Sequence, residues 1–261
     1  MTARSEFLAA AVAIARRHLY KWISVPANFM PTFIFPLIFF TGFAGSLGRI
    51  GTVPGFDYPA SYTTWIFVFS LMQTCLFGGL ATGFTIAAEF QTGFARRLML
   101  AVADRRAILA GYVLSTFVRA AIMSGVVTTV ALTVGLELGG GTVLEVVGLY
   151  LLALTMSIVG TLWASGVMFR ARDPQLGPAM QIPMFIAIFL APVYVPLALL
   201  DGWLHAVASL NPIGYAMTAG RNLLVGSLDD VVIAVGLVAG VLVLLLWWAL
   251  SGVRSAERAG G

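Results

Sequence analysis

The sequence predicts an all-α polytopic membrane protein with six transmembrane helices, and three observations carry that expectation. Long apolar stretches recur along the 261 residues, which are 60% hydrophobic. Only 10% are charged, where a soluble domain carries about a quarter, and the mean hydropathy is +0.96. Third, the cationic residues fall on every second loop. Arg4, Arg16, Arg17 and Lys21 precede the first stretch; Arg96, Arg97, Arg105 and Arg106 follow the second; Arg170 and Arg172 follow the fourth; Arg254 and Arg258 follow the sixth. These are 12 of the 15 Lys and Arg residues. The alternate loops hold only Arg49 and Arg221, beside Asp57, Glu137, Asp201, Asp229 and Asp230. Cationic loops stay on the cytoplasmic side during insertion, so a multi-pass plasma-membrane protein with both termini cytoplasmic is expected.

Each span follows from the ~20 apolar residues that a bilayer-crossing helix requires. The expected spans are 29–47, 65–88, 108–136, 146–169, 178–200 and 231–250. None contains Lys and only the third contains Arg. With no soluble domain or linker in view, residues 1–261 read as one membrane domain.

Three regions depart from the simple alternation. In residues 1–22, Phe7, Leu8, Ala11, Val12, Ala15, Leu19 and Trp22 recur at helical spacing, with Glu6, Arg17 and Lys21 on another face. That pattern suits a helix lying along the membrane surface; the plainer alternative is an anchor for the first span. The link 89–106 is too long and too apolar for a bare connector. It predicts a short cytoplasmic helix on which Phe90, Phe94, Leu98 and Met99 either fill a partner's groove or dip into the headgroups. The outer segment 201–230 carries Trp203, Leu204, Leu210, Ile213, Tyr215, Met217, Leu223 and Leu224. Asn211-Pro212 is a helix start signal and Gly226 a stop. Such a segment either re-enters the outer leaflet as short helices and gates a pathway, or caps the structure. Irregular backbone there must be shielded by protein or open to water.

Chemistry-bearing clusters are sparse. Cys75 is the single cysteine, and His18 and His205 are the two histidines, so a disulfide and a Cys or His metal site are not expected. The basic residues are spread over four short segments, which argues against nucleic-acid binding. Arg119 is the one charge inside an expected span, and such residues mark functional sites. Two readings stand: a side chain snorkelling to the inner interface, or a buried arginine that pairs across helices or faces substrate. Gly78, Gly79 and Gly83 form a small-residue ridge for either a dimer seam or internal packing. A P-loop requires Lys within a glycine-rich turn, and the sole Lys21 lies in His18-Leu19-Tyr20-Lys21-Trp22. The chain is therefore not expected to be an enzyme, nor to hold a cofactor of its own.

Two local patterns resemble the ABC-2 type permeases, the membrane subunits of ATP-driven exporters. After the second span, Glu89, Gly93, Arg97-Leu98 and Arg105 match the family's Glu, Gly four residues on, Arg-Leu pair and turn ending in Arg. Val102 stands where the family usually has Pro, so this turn is expected to differ in shape. Towards the C-terminus, Leu210-Asn211-Pro212-Ile213-Gly214-Tyr215, followed by Arg221-Asn222-Leu223-Leu224-Val225-Gly226, resembles the family's outer Asn-Pro segment. In character the chain is closest to daunorubicin-resistance-like drug exporters.

The resemblance implies a permease that exports a hydrophobic or amphipathic substrate: a drug-like molecule, lipid or glycolipid. It implies two copies of an ABC ATPase carrying ATP and Mg, a second permease, identical or homologous, and surrounding lipid. Glu89, Gly93, Phe94, Arg97, Leu98 and Arg105 would couple to the ATPase, and Asn211, Pro212, Tyr215 and Arg221 would form the outer gate. The rival is an ATP-independent secondary carrier or a membrane scaffold. A carrier commonly shows internal repeats and broken helices around midplane ion sites, and no convincing repeat relates residues 1–130 to 131–261.

Overall fold

The computed structural model describes residues 3–137 and 139–258, and the side chains of all of these except 26–33. Residues 1–2 of the expected surface helix, and Phe29 and Phe33 at the start of the expected first span, thus fall outside the described side chains. The chain runs through α1 (Ala3–Ser24), α2 (Pro26–Ser46), α3 (Tyr62–Gln91), α4 (Phe94–Ala101) and α5 (Arg106–Val134). It continues through α6 (Val143–Ala171), α7 (Gly177–Phe189), α8 (Gly202–Ser209), α9 (Pro212–Leu224) and α10 (Val231–Arg258). Among the described residues, four helices are long and apolar enough to cross a membrane: α3, α5, α6 and α10. The described part of α2, Ile34–Ser46, is a shorter apolar helix.

The central element is α3, buried along most of its length and packed most extensively on α6. Glycine explains how close these two helices come. A Cβ on Gly79 would sit 2.2 Å from the Ser157 carbonyl oxygen, and one on Gly160 would sit 2.2 Å from that of Leu76. With no hydrophobic drive between helices in lipid, such backbone approach supplies the packing. Gly83 likewise lies against Met180 of α7, whereas Gly78 faces open space. Two of the three ridge glycines therefore serve internal packing.

The fifth expected span, 178–200, is not one helix. α7 stops at Phe189, and 190–201 is irregular apart from the 3-10 turn Leu197–Leu199. The cause is local: Pro192 and Pro196 offer no backbone N–H and disfavour helical conformation in the residues before them. The segment 201–230 then divides into α8, which is largely exposed, and α9, which is largely buried.

The loops rich in arginine meet at one end of the bundle. Arg105 pairs with Glu257 at 3.1 Å, and Arg172 Nη2 donates to the Ser255 carbonyl over 3.1 Å. At the opposite end, Thr64 Oγ1 donates to the Glu137 carbonyl (3.0 Å) and Gly141 N to that of Leu224 (3.2 Å). The outward side of α10 is apolar, with Val232, Leu244 and Trp247 exposed, as suits a lipid-facing helix.

Candidate functional site

At the arginine-rich end, Glu89 gathers three helices. It lies on α3 rather than on the link, and is 1% exposed. Arg17 of α1 donates to its Oε1, Tyr112 of α5 donates to Oε2 over 2.6 Å, and His18 Nε2 stands 3.4 Å from Oε1. The His18 ring also meets Tyr112 edge-on at 4.7 Å. The sequence allows this because α1 presses flat on α5: Ala11, Ile14, Ala15, His18 and Trp22 form its buried face. Gly111 leaves room for the backbone, since a Cβ there would reach 2.9 Å from the Ala11 carbonyl. This corrects the expected amphipathic division of α1. Leu8 and Val12 of the apolar stripe are exposed, while Arg17 of the polar face turns to a buried partner.

The short helix α4 hangs from this cluster. Gly93 begins it at φ 69°, a left-handed conformation that favours glycine. Nothing approaches the site of a Cβ there, so backbone conformation selects the residue. Arg17 spreads its guanidinium over the Phe94 ring at 3.6 Å. Met99 is buried against Ile14, Ile108 and Tyr112, with Phe90 and Leu98 packed alongside. These side chains therefore do not form outward knobs. Arg96, Arg97 and Leu100, the last 79% exposed, make the outer face of α4. The helix ends at Val102 in an extended conformation, where Arg105 Nε caps the Met99 carbonyl over 3.2 Å.

Further along α5, about 20 Å of helix beyond its first residue at 1.5 Å per residue, Arg119 is 8% exposed. Its Nη2 donates to Thr82 Oγ1 (2.8 Å) and Thr116 Oγ1 (2.9 Å); it does not snorkel. Arg119 lines a cavity of about 530 Å³ with His18, Lys21, Trp22, Phe35, Pro36, Phe77, Ala81, Phe84, Thr85, Ala88, Gln181 and Phe185. Phe35 and Phe77, together with Phe185, make an aromatic wall, with Phe77 and Phe185 4.5 Å apart.

At the other end, Arg221 of α9 is 1% exposed. Nη1 donates to the Pro192 carbonyl (2.7 Å), Nη2 to that of Val193 (2.9 Å) and Nε to that of Trp65 (3.3 Å). The guanidinium lies 3.5 Å over the Trp65 ring, and Trp65 Nε1 also donates to Val193 (2.9 Å). Tyr58 donates to the Arg221 carbonyl (3.1 Å); burial pushes its phenol up to about 12, which keeps it a neutral donor. Asn211 caps α9, its Oδ1 accepting from Ile213 N at 3.0 Å, while Nδ2 donates to Ala187 at the end of α7. Pro212 follows as the first helical residue, Tyr215 is half-buried and Leu223 is buried.

The structure thus brings Glu89, Phe94, Leu98 and Arg105 to the arginine-rich end of the bundle, with Gly93 turning the chain from α3 into α4, and leaves the Arg97 side chain facing outward. It brings Asn211 and Arg221 onto the broken backbone after α7. Arg17, His18, Tyr112, Thr82, Thr116, Tyr58 and Trp65 were not singled out as site residues. For Arg17 and His18 the available signal was their place beside Ile14 and Ala15 on a helix with i, i+3 and i+4 spacing.

Comparison with known proteins places the chain in a family. The chain is 24% identical over 225 residues to the "Daunorubicin resistance ABC transporter permease protein DrrB1" of Streptomyces coeruleorubidus, covering 84% of this chain and 77% of that one. The family model of the ABC-2 type transporter matches residues 10–225. With a multi-pass helical architecture and most of its length matched, this chain belongs to the ABC-2 type transporter family and is a membrane transport permease.

Proposed function

We propose that the chain is the permease subunit of an ATP-driven exporter that moves a hydrophobic or amphipathic substrate (a drug-like molecule, lipid or glycolipid) out across the plasma membrane. It acts with two ABC ATPase subunits, which carry ATP and Mg, and with a second permease, identical or homologous. The termini are cytoplasmic, and six crossings are completed by α2 and by α7 together with its irregular continuation. α1 lies along the inner membrane surface, and α8–α9 dip into the outer leaflet as a gate centred on Asn211, Pro212, Tyr215 and Arg221.

The observation that carries this reading is the suspension of α4. One face is solvent-directed and cationic through Arg96 and Arg97. The other is tied to α1 by the Arg17–Phe94 stack, and the neighbouring Arg105 is tied to α10 through Glu257. Glu89, two residues before the end of α3, binds α1 and α5 as well. A push on α4 therefore reaches four helices at once, α1, α3, α5 and α10, of which the first three border the cavity.

The test is purification of the full chain in mild detergent with mass spectrometry of co-purifying proteins, followed by ATP turnover of the reconstituted complex. An ABC ATPase at about one copy per permease, with turnover lost in Arg97→Glu, supports the reading. Like-charge juxtaposition at a packed contact costs several kcal/mol. Purification without an ATPase, combined with substrate movement independent of ATP, would favour the secondary carrier.

A further inference from the structure

We propose that the cavity between α1, α2, α3, α5 and α7 binds an amphiphile whose head group is an anion, a phosphate or a carboxylate. As a statement about substrate class, this rests on the permease function proposed above; as a statement about binding, it stands on the cavity alone.

Among the described lining residues three are basic, His18, Lys21 and Arg119, and none is Asp or Glu. Glu89, next to the lining residue Ala88, stands 3.4 Å from His18 Nε2 and already accepts from Arg17 and Tyr112, so among the described residues the cation left without an acidic neighbour deep in the cavity is Arg119. Arg119 is the decisive group. It is more than nine-tenths buried, its Nη2 is held by two threonine hydroxyls, and its buried Nε has no hydrogen-bond partner among the described residues. A buried guanidinium with neutral hydroxyl partners alone has lost its hydration without gaining a counter-charge. An anionic oxygen arriving in the cavity supplies both the charge and an acceptor, in the charge-assisted geometry that arginine favours.

Apart from Thr85 and Gln181, the rest of the described wall is apolar. Phe77 and Phe185 pack 4.5 Å apart, and Phe35 meets them at 6.5 Å and 6.1 Å. A volume of about 530 Å³ falls within the ~300–1,000 Å³ typical of small-molecule sites. Lys21, exposed on α1, places a second cation on the lining. A cationic amphiphile of equal size would meet Arg119 with no carboxylate in the wall to compensate, so charge selects the ligand more strongly than shape.

The test uses the purified full-length chain, without ATP, in native mass spectrometry with three probes. These are oleoyl lysophosphatidate, oleoyl lysophosphatidylcholine and pyrenebutyrate. One charge-assisted contact predicts that wild type retains at least one anionic probe ~10-fold more tightly than the choline lipid. Preference for lysophosphatidate identifies a membrane lipid as the source of the anion, and preference for pyrenebutyrate a free aromatic acid; both support the site. Arg119→Gln is expected to bring that ratio close to one and Arg119→Lys to preserve most of it. Lys21→Gln, at an exposed position that leaves the fold intact, should lower it partway. Equal retention of anionic and choline probes by wild type overturns the proposal, as does an anion preference that survives both Arg119→Gln and Lys21→Gln. Loss of ATPase partnership would leave this result untouched, and absence of anion preference would leave the ATPase partnership untouched.

Discussion

Arg221 and Val193 are joined by a 2.9 Å hydrogen bond from Nη2 to the Val193 carbonyl, across twenty-eight residues of chain. The same guanidinium serves the Pro192 carbonyl. The prolines that end α7 also release carbonyls from helical pairing, and lipid cannot satisfy them. One arginine supplies the missing donors, and its planar fork reaches carbonyls that a single ammonium cannot. The break after α7 and the burial of Arg221 are therefore two halves of one solution.

Arg221→Lys is expected to lower stability by roughly 3 kcal/mol, because hydrogen bonds involving a charged group are worth about 1.5–3 kcal/mol each and Lys cannot replace all three. Thermal unfolding in detergent gives the measure, with Arg97→Lys as the exposed control. Equal melting temperatures for the two variants would show that Arg221 does not hold the irregular segment.

The inner cluster is asymmetric, and that asymmetry is testable. Arg17 has a partly exposed side chain, whereas that of Glu89 is buried. Arg17→Ala leaves the buried carboxylate with Tyr112 and His18 but without its arginine counter-charge, a loss of roughly 3 kcal/mol. Glu89→Gln keeps an acceptor for Tyr112 and frees Arg17 to water, so its cost is smaller, about 1 kcal/mol. Stability measured for both variants should rank them in that order, and the reverse ranking would refute the assignment of Glu89 as the buried centre.

The long apolar helices were legible because a span is a one-dimensional signal. The stretches expected at 65–88 and 146–169 lie within α3 and α6, 231–250 is the first part of α10, and 108–136 overruns α5 by two residues at Gly135. The fifth stretch misled because hydropathy averages over proline; Pro192 and Pro196 were visible, but apolarity alone does not report hydrogen bonding. Glu89 and Arg221 were noticed through motifs, yet their partners come from α1, α5 and the segment after α7, distant in sequence and fixed only by helix packing. Arg17 looked solvent-facing because the pattern of α1 was read against water and lipid. Its true reference is α5, which the residues of α1 alone do not reveal.

Helix crossing supplies a further expectation. Gly79→Ala places a methyl 2.2 Å from the backbone oxygen of Ser157, which cannot move without displacing α6. Gly78→Ala meets nothing within 4 Å. Overpacking of this kind costs about 1–3 kcal/mol or more. Detergent melting should therefore fall for Gly79→Ala and stay within error for Gly78→Ala. If Gly78→Ala alone disrupted the purified complex, Gly78 would belong to a permease–permease seam instead of open surface.

Sidedness follows from the arginine distribution. In a Cys75→Ser background, single cysteines at Leu100, Gln175 and Arg254 should react from the cytoplasmic side, and those at Val53, Glu137 and Leu228 from outside. All six positions are exposed. Cytoplasmic labelling at Leu228 would break the parity of the six crossings.

The outer segment makes the most detailed claim, because its two helices differ in burial. In α8, Trp203 and Val207 are exposed, and Leu210 just beyond it is 82% exposed. In α9, Ile213, Ala216, Met217, Ala219, Leu223 and Leu224 are buried while Thr218 and Asn222 are half-buried. In a cysteine scan with a membrane-impermeant reagent, the exposed positions of α8 should thus label faster than those of α9, which protein covers. α9 should give slow labelling with a helical period, its partial reactivity at 218 and 222. Replacing Asn211 with Ala removes the cap that accepts from Ile213 and the donor to Ala187. An N-cap is worth about 1 kcal/mol, so this change should loosen α9 and raise reactivity at 216, 217 and 223 while ATPase assembly at the far end persists. Rapid and uniform labelling of wild-type 212–224 would mean that α9 is a free surface helix, and the gate would have no physical basis. Protection that Asn211→Ala leaves unchanged would assign the seating of α9 to Arg221 alone.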